Sequence, residues 1–183
     1  MMLIPYEKLK IKTSLSTSDA LKKLDDAIEP KRSFRKLWDS RHKPYEGKIE
    51  GAHFNATRII HYRNSFLPVI KGEIQSEISG STINMTMHPH ILVIVFMSLW
   101  LGFVGFFFIA ILGSFISSIS QESTVGVSTP AMILIPAGMF IFGYALLLGS
   151  FKFESVKSKA YFCELFQAND VEEAGIANLF NRD

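Results

Sequence analysis

Apolar and polar positions follow one another along this chain in three rhythms, and each predicts a different kind of element. From Ser16 to Ile28, Leu21, Leu24 and Ile28 recur at three- and four-residue spacing behind a cluster of Ser, Thr and Asp. That is the pattern of a capped amphipathic helix, which Pro30 ends. From Tyr45 the period falls to two. Phe54, Ala56, Ile60 and Tyr62 alternate with Asn55, Thr57, Ile59 and His61, then Asn64 and Ser65 mark a turn. Phe66 to Ile78 resumes as an extended segment in which Pro68 suits a strand start, an edge or a bulge. Beyond the Ser79-Gly80-Ser81 turn, Ile83, Met85 and Met87 alternate with Thr82, Asn84 and Thr86. Three or four antiparallel strands are expected, the last running into the next segment at Pro89.

The third rhythm has no polar beat at all. Between Ile91 and Phe151 the only charged residue is Glu122. Ile91 to Ile119 is roughly 43 Å of helix at about 1.5 Å per residue, against a hydrocarbon core of about 30 Å. Its serine-rich end is surplus, so the first span is expected near 91–113. Ala131 to Phe151 matches the core with almost nothing to spare and is the second. Between them, Gly126 and Pro130 supply turn chemistry, with Pro130 placed to open a helix and Pro136 one turn further in to kink it. The alternative, a helical hairpin buried in a soluble protein, would leave two long uncharged segments for a short chain to cover.

After the second span, Val156, Ala160 and Cys163 stand at helical spacing beside Phe162, Leu165 and Phe166, predicting a helix over Phe153 to Phe166 with that face buried. Asp170 followed by Glu173 resembles a capping box and predicts a final short helix through Phe180. A small sheet must have one face covered, and the helices before and after it are the available cover. The expected architecture is an α+β membrane protein: a small antiparallel sheet with flanking helices and an inserted transmembrane helical hairpin. Residues 1–90 form its helix and β-rich part, 91–151 the hairpin, and 152–183 a helical tail packing on the sheet.

Charge orients this arrangement. Residues 1–90 hold 15 Lys and Arg, residues 152–183 hold 4 and the hairpin loop none, which places both termini in the cytoplasm. The amino terminus lacks the long apolar run of a secretory signal, so the first span is expected to act as the insertion signal. The net charge of +2 balances 19 basic against 17 acidic residues, and nothing in it points to nucleic acid. Locally, Lys31, Arg32, Arg35, Lys36, Arg41 and Lys43 cluster around Trp38 with Asp39 alone opposing them. They form a candidate contact for a partner's acidic surface or for anionic headgroups, or else a solvated linker.

Candidate chemistry adds little. One cysteine, Cys163, excludes an internal disulfide and a cysteine metal cluster. His53 and His61 would lie about 26 Å apart along an extended strand, too far to share an ion, and His88 and His90 flank Pro89 as interface residues. No nucleophile, zinc-helix or phosphate-loop motif is present. Neither catalytic, cofactor nor metal residues are assigned. The uncharged spans argue against a transporter. They do carry small residues at four-residue spacing, Ala110, Ser114 and Ser118 on the first and Ala145 and Gly149 on the second, which are candidate helix-packing positions within the hairpin or between copies.

The stretch Arg58 to Ile74, RIIHYRNSFLPVIKGEI, followed by a turn, a short strand and an apolar helix containing Trp100, resembles a group of uncharacterised bacterial membrane proteins. The similarity spans about Gly47 to Trp100 and implies a small β-rich module tied to a helical hairpin, with no activity attached. The function expected from the sequence is therefore that of a non-enzymatic accessory or interaction protein in the bilayer, binding a protein partner or a second copy of itself. The alternative is a membrane-anchored sensor whose sheet and closing helix enclose a lipid or small ligand.

Overall fold

The computed structural model describes residues 4–31, 42–60, 62, 64–120 and 129–174, the side chains of 118–120, 129–131 and 174 excepted. Within them the fold is mixed α+β, with a seven-stranded sheet and three helices, two of them long and apolar. The chain divides into two compact units, Met1–His90 with Ser150–Asp183, and Ile91–Gly149.

The sheet is larger than the three or four strands expected. Its order is β2-β3-β4-β5-β6-β1-β7, from β1 (Glu7–Thr13), β2 (Ile28–Pro30), β3 (Tyr45–Glu50), β4 (His53–Arg58), β5 (Pro68–Glu77), β6 (Gly80–Pro89) and β7 (Asp170–Ala174). Every ladder is antiparallel except the short parallel pairing of β2 with β3. β4 stops at Arg58 rather than continuing through Tyr62.

The longest ladder, β5–β6, runs from Glu77 opposite Gly80 to Pro68 opposite Pro89, so the two prolines, which lack an N–H, close its far end. Gly80 takes φ +142 at the tight end, where a Cβ would lie 2.0 Å from the carbonyl oxygen of Thr13. Only glycine fits both constraints. In the turn between β4 and β5, Asn64 Oδ1 accepts a hydrogen bond from the Phe66 N–H at 3.0 Å, an Asx turn at the expected place.

β1 was not expected at all. Its Glu7, Leu9, Ile11 and Thr13 are buried, while Lys8, Lys10 and Lys12 stand on the opposite face. Leu9 pairs with Met85 and Ile11 with Ile83, extending the apolar face by one strand. Phe54 lies over Gly72, where a Cβ would come within 2.3 Å of the ring.

Helix α1 (Thr17–Ala27) begins at Ser16, whose Oγ accepts from the Asp19 N–H at 3.1 Å and donates to its carboxylate at 2.6 Å. Lys43 reaches back to the carbonyls of Asp25 and Ile28, supplying the positive charge that the helix lacks in its own last turn. Ala20, Leu24 and Ala27 face the sheet. The core of this unit joins Leu9, Ile11, Leu24, Ile28, Tyr45, Phe54, Ile70, Ile83 and Met85 to Phe151, Phe162 and Phe166 from the end of α3 (Thr129–Leu165).

Two expectations for the tail are corrected. The second span and the helix after it are one continuous helix, which carries on through Pro136. Asp170 to Ala174 is a strand, not the start of a helix; residues 175–180 lie outside the described residues. The reason is tertiary. Gln167, at φ 51, ends α3 with Ala168 N–H bonded to the Cys163 carbonyl, a left-handed cap that reverses the chain. The reversal brings Asp170 and Glu172 onto the open edge of β1, where they meet Lys12 at 3.2 and 3.1 Å. Backbone pairing and these charges outweigh a weak local helix signal.

In the second unit, α2 (Ile91–Ser120) meets α3 where Trp100 lies against Gly143 and Phe140 comes near Gly105, and Met97, Val104 and Leu147 are buried. The key position is Gly143, where a Cβ would approach Trp100 Cζ3 to 2.2 Å. The small-residue positions behave otherwise. Ala110, Ser114, Ala145 and Gly149 are exposed, and Ser118 lies outside the described side chains. Only 11% of the most apolar stretch of each long helix is buried. Both helices are long and apolar enough to be membrane spans.

Candidate functional site

The most unusual chemistry of the sheet unit lies where the last turns of α3 cross the sheet. The expected buried face was Val156, Ala160, Cys163 and Phe166. Val156 and Ala160 are instead exposed and Cys163 only half-buried, so that expectation is corrected for all but Phe166. The face turned to the sheet carries Phe151, Glu154, Ser155, Ser158, Lys159, Phe162 and Phe166, a helical spacing whose middle is polar. Apolar residues clamp it at both ends, and the strands supply partners for the charges between.

Two carboxylates organise this seam. Glu154 is fully buried and accepts from Arg58 Nη1 at 2.8 Å, from the Tyr62 hydroxyl, and from Lys157 at 3.4 Å. Burial pushes its pKa up, but the bonds from Tyr62 and Arg58 and the charges of Arg58 and Lys157 together hold it below the usual carboxylate value. Glu7, 1% exposed, meets Lys152 at 2.6 Å and Lys159 at 2.8 Å. Burial is again the largest single influence on its pKa, and the two lysines reverse it, so Glu7 also stays ionised. Lys159 extends the chain of charges to Glu173 of β7 at 3.1 Å. Burial alone would lower its pKa, yet the hydrogen bonds to Glu7 and Glu173 raise it.

Tyr45 packs in tilted contact with Tyr161 and Phe162, centroids 5.1 and 4.9 Å apart, and burial pushes its phenol up to about 12. Each of these two carboxylates is matched by cations, and the arrangement joins α3 to the sheet. It was hidden from sequence reasoning because Glu7, Arg58 and Glu154 are distant in the chain and none belongs to a motif.

The other face of the sheet is open and polar. Lys8, Thr86, Lys71, Asn55 and Lys48 are directly opposed in register across β1, β6, β5, β4 and β3, forming one row free of carboxylates. Concavities of about 590, 300 and 470 Å³ lie along it, sharing Lys71 between the first two and Lys48 with Asn55 between the last two. Of the basic cluster singled out in the sequence, Lys31 lines the third concavity, while Arg32, Arg35, Lys36, Trp38 and Arg41 lie outside the described residues. His53 is exposed on this face, and His61 and Arg63 are also outside the described residues. Among the described residues no group of three His, Cys, Asp or Glu could hold a metal ion.

No protein-family model, curated protein or solved structure matches the chain.

Proposed function

We propose that this chain is an integral membrane protein with no catalytic activity of its own, an accessory or interaction protein whose sheet unit lies in the cytoplasm and engages a protein partner. The observation that carries the reading is the surface of α2 and the first part of α3. Phe96, Leu99, Phe103, Phe106, Leu134, Ile141 and Phe142 are exposed along α2 and the part of α3 before Lys152, both without a charge, a surface suited to lipid. The uncharged stretch of α3 ends at Phe151, and Lys152, Glu154, Lys157 and Lys159 follow within the sheet unit. The excess of Lys and Arg flanking the apolar segment, with none in its loop, supports cytoplasmic termini. The basic stretch beginning at Lys31 with Trp38 inside it is the partner contact, since an aromatic anchor among cations suits an acidic protein surface.

The test is copurification of the full chain in mild detergent. A stoichiometric protein partner is expected to be recovered with the natural chain and lost when Lys31, Arg32, Arg35 and Lys36 are all changed to Gln. Recovery of the chain alone, before and after crosslinking in the membrane, would refute the accessory role, and recovery of the chain only with itself would make it a homo-oligomer.

The concavities on the open sheet face favour a second reading, a membrane-anchored sensor of a lipid or small ligand. In that reading the ligand sits on the open face and not beneath α3, where Phe162 and Phe166 fill the core.

A further inference from the structure

We propose that the open sheet face carries a binding site for a phosphate-bearing anion, centred on Lys8, Thr86 and Lys71. This deepens the sensor reading and rests on it. Lys8 and Lys71 flank Thr86 in register, one strand away on either side, so their backbones are about 9.6 Å apart at about 4.8 Å per strand. Both side chains leave the same face and border the same concavity of about 590 Å³, a volume in the usual range for small-ligand sites of about 300–1,000 Å³.

Their situation differs from that of the neighbouring lysines. Lys10 and Lys12 are engaged by Glu172 and Asp170 of β7, and Lys48 by Glu50. Among the described residues Lys8 and Lys71 have no carboxylate within ion-pair distance, and Lys8 meets only the ring of Tyr6, 6.0 Å from its centroid. Two unneutralised ammonium groups on long flexible stems, with the Asn84 amide in the next row, form a donor set for a compact, multiply charged oxyanion, while the Thr86 hydroxyl between them donates to the Lys71 carbonyl at 3.4 Å. An ammonium bonds such an anion as a point charge, without the planar fork that an Arg site would impose. Two carboxylates also line the concavity, Glu73 and the Glu172 that Lys10 and Lys12 engage, and they disfavour an anion spread across all of it and confine it to the Lys8–Lys71 side.

The same chemistry is offered by a soluble phosphate ester and by the headgroup of an anionic phospholipid. The full-length protein in mild detergent is titrated calorimetrically with inorganic phosphate and with glycerol phosphate. In parallel, protein taken from nanodiscs of mixed phosphatidylglycerol and phosphatidylcholine is weighed by native mass spectrometry to count retained phosphatidylglycerol. Lys8→Gln and Lys71→Gln remove one donor each at surface positions, and Lys12→Gln removes the same charge from outside the concavity.

Binding is expected in at least one arm, weakened about tenfold or more by either of the first two changes and by less than about twofold by Lys12→Gln. A response to the soluble esters identifies a free metabolite, and retention of phosphatidylglycerol alone identifies a headgroup. Absence of binding in both arms, indifference to Lys8→Gln and Lys71→Gln, or an equal loss with Lys12→Gln would overturn the site. A ligand that copurifies unchanged through Lys71→Gln would overturn it too, while leaving the sensor reading standing.

Discussion

Replacing Glu154 with Ala tests the polar seam under α3 at its most buried point. The change removes the acceptor of Arg58 at 2.8 Å and of the Tyr62 hydroxyl, and leaves the guanidinium facing a core without its counter-charge. Breaking a fully buried ion pair from one side costs about 3–5 kcal/mol. Here the arginine side chain is 32% exposed and Tyr62 is half-exposed, so water recovers part of the loss and about 2 kcal/mol is the better figure. For a protein of this size that is a fall in Tm of about 4–8 °C. The companion variant, Arg58→Met with Glu154→Leu, removes both charges and fills the space. It is expected to lie within about 1 kcal/mol of the natural protein, because the desolvation of two ions disappears along with their attraction. Thermal unfolding of the full chain in a single mild detergent, followed by near-ultraviolet circular dichroism, reports on the packing of Tyr45, Tyr161 and Phe162. If Glu154→Ala shifts the melt by less than about 2 °C, or the double variant melts lower than the single, the seam does not hold helix to sheet by charge pairing.

Acid should act on the same seam. Glu7 and Glu154 have folded-state pKa values below the ordinary 4.5, so their stabilisation is complete above that value and is lost as pH falls through the depressed folded values; Tm should be level from about pH 6 to 8 and drop below about pH 4.5, less steeply in Glu154→Gln. In the apolar unit, Gly143→Leu would drive a side chain into Trp100, and crosslinking between cysteines placed on α2 and α3 should fall severalfold, whereas Gly149→Leu, which meets open space, should leave it unchanged. Asn64→Val removes the side-chain acceptor of the Phe66 N–H and should cost about 1 kcal/mol, seen as a lower Tm and restored by Asn64→Asp.

What could be read from the sequence was whatever the chain decides locally. Helix α1 announces itself through Ser16, Leu21 and Leu24, and the β5–β6 hairpin through strict alternation around Ser79 and Gly80. β1 was hidden because Lys8, Lys10 and Lys12 depress its mean hydropathy, although they are the polar half of a period-two pattern whose other half, Leu9 and Ile11, is core. β7 could not be foreseen from Asp170 and Glu173, since what makes it a strand is the edge of β1, more than 150 residues earlier in the chain. The buried face of α3 was misassigned for a related reason. Apolarity favours Val156 and Ala160, but Glu154 and Lys159 are buried because Arg58 and Glu7 wait for them on the sheet. A lone buried charge is costly, and only a fold that brings its partner can reverse the preference.

The proposed topology has the apolar helices crossing a bilayer with the sheet unit on the cytoplasmic side, and site-directed labelling measures that directly. In a Cys163→Ala background, one cysteine replaces Ser123, which lies in sequence between α2 and α3, and another, in a separate variant, replaces Ile78, which is fully exposed at the β5–β6 turn. With an impermeant maleimide, Ser123→Cys should react in intact cells and Ile78→Cys only after the membrane is opened. Labelling of both in intact cells, of neither, or of Ile78→Cys alone would contradict the proposed topology, and with it the cytoplasmic partner.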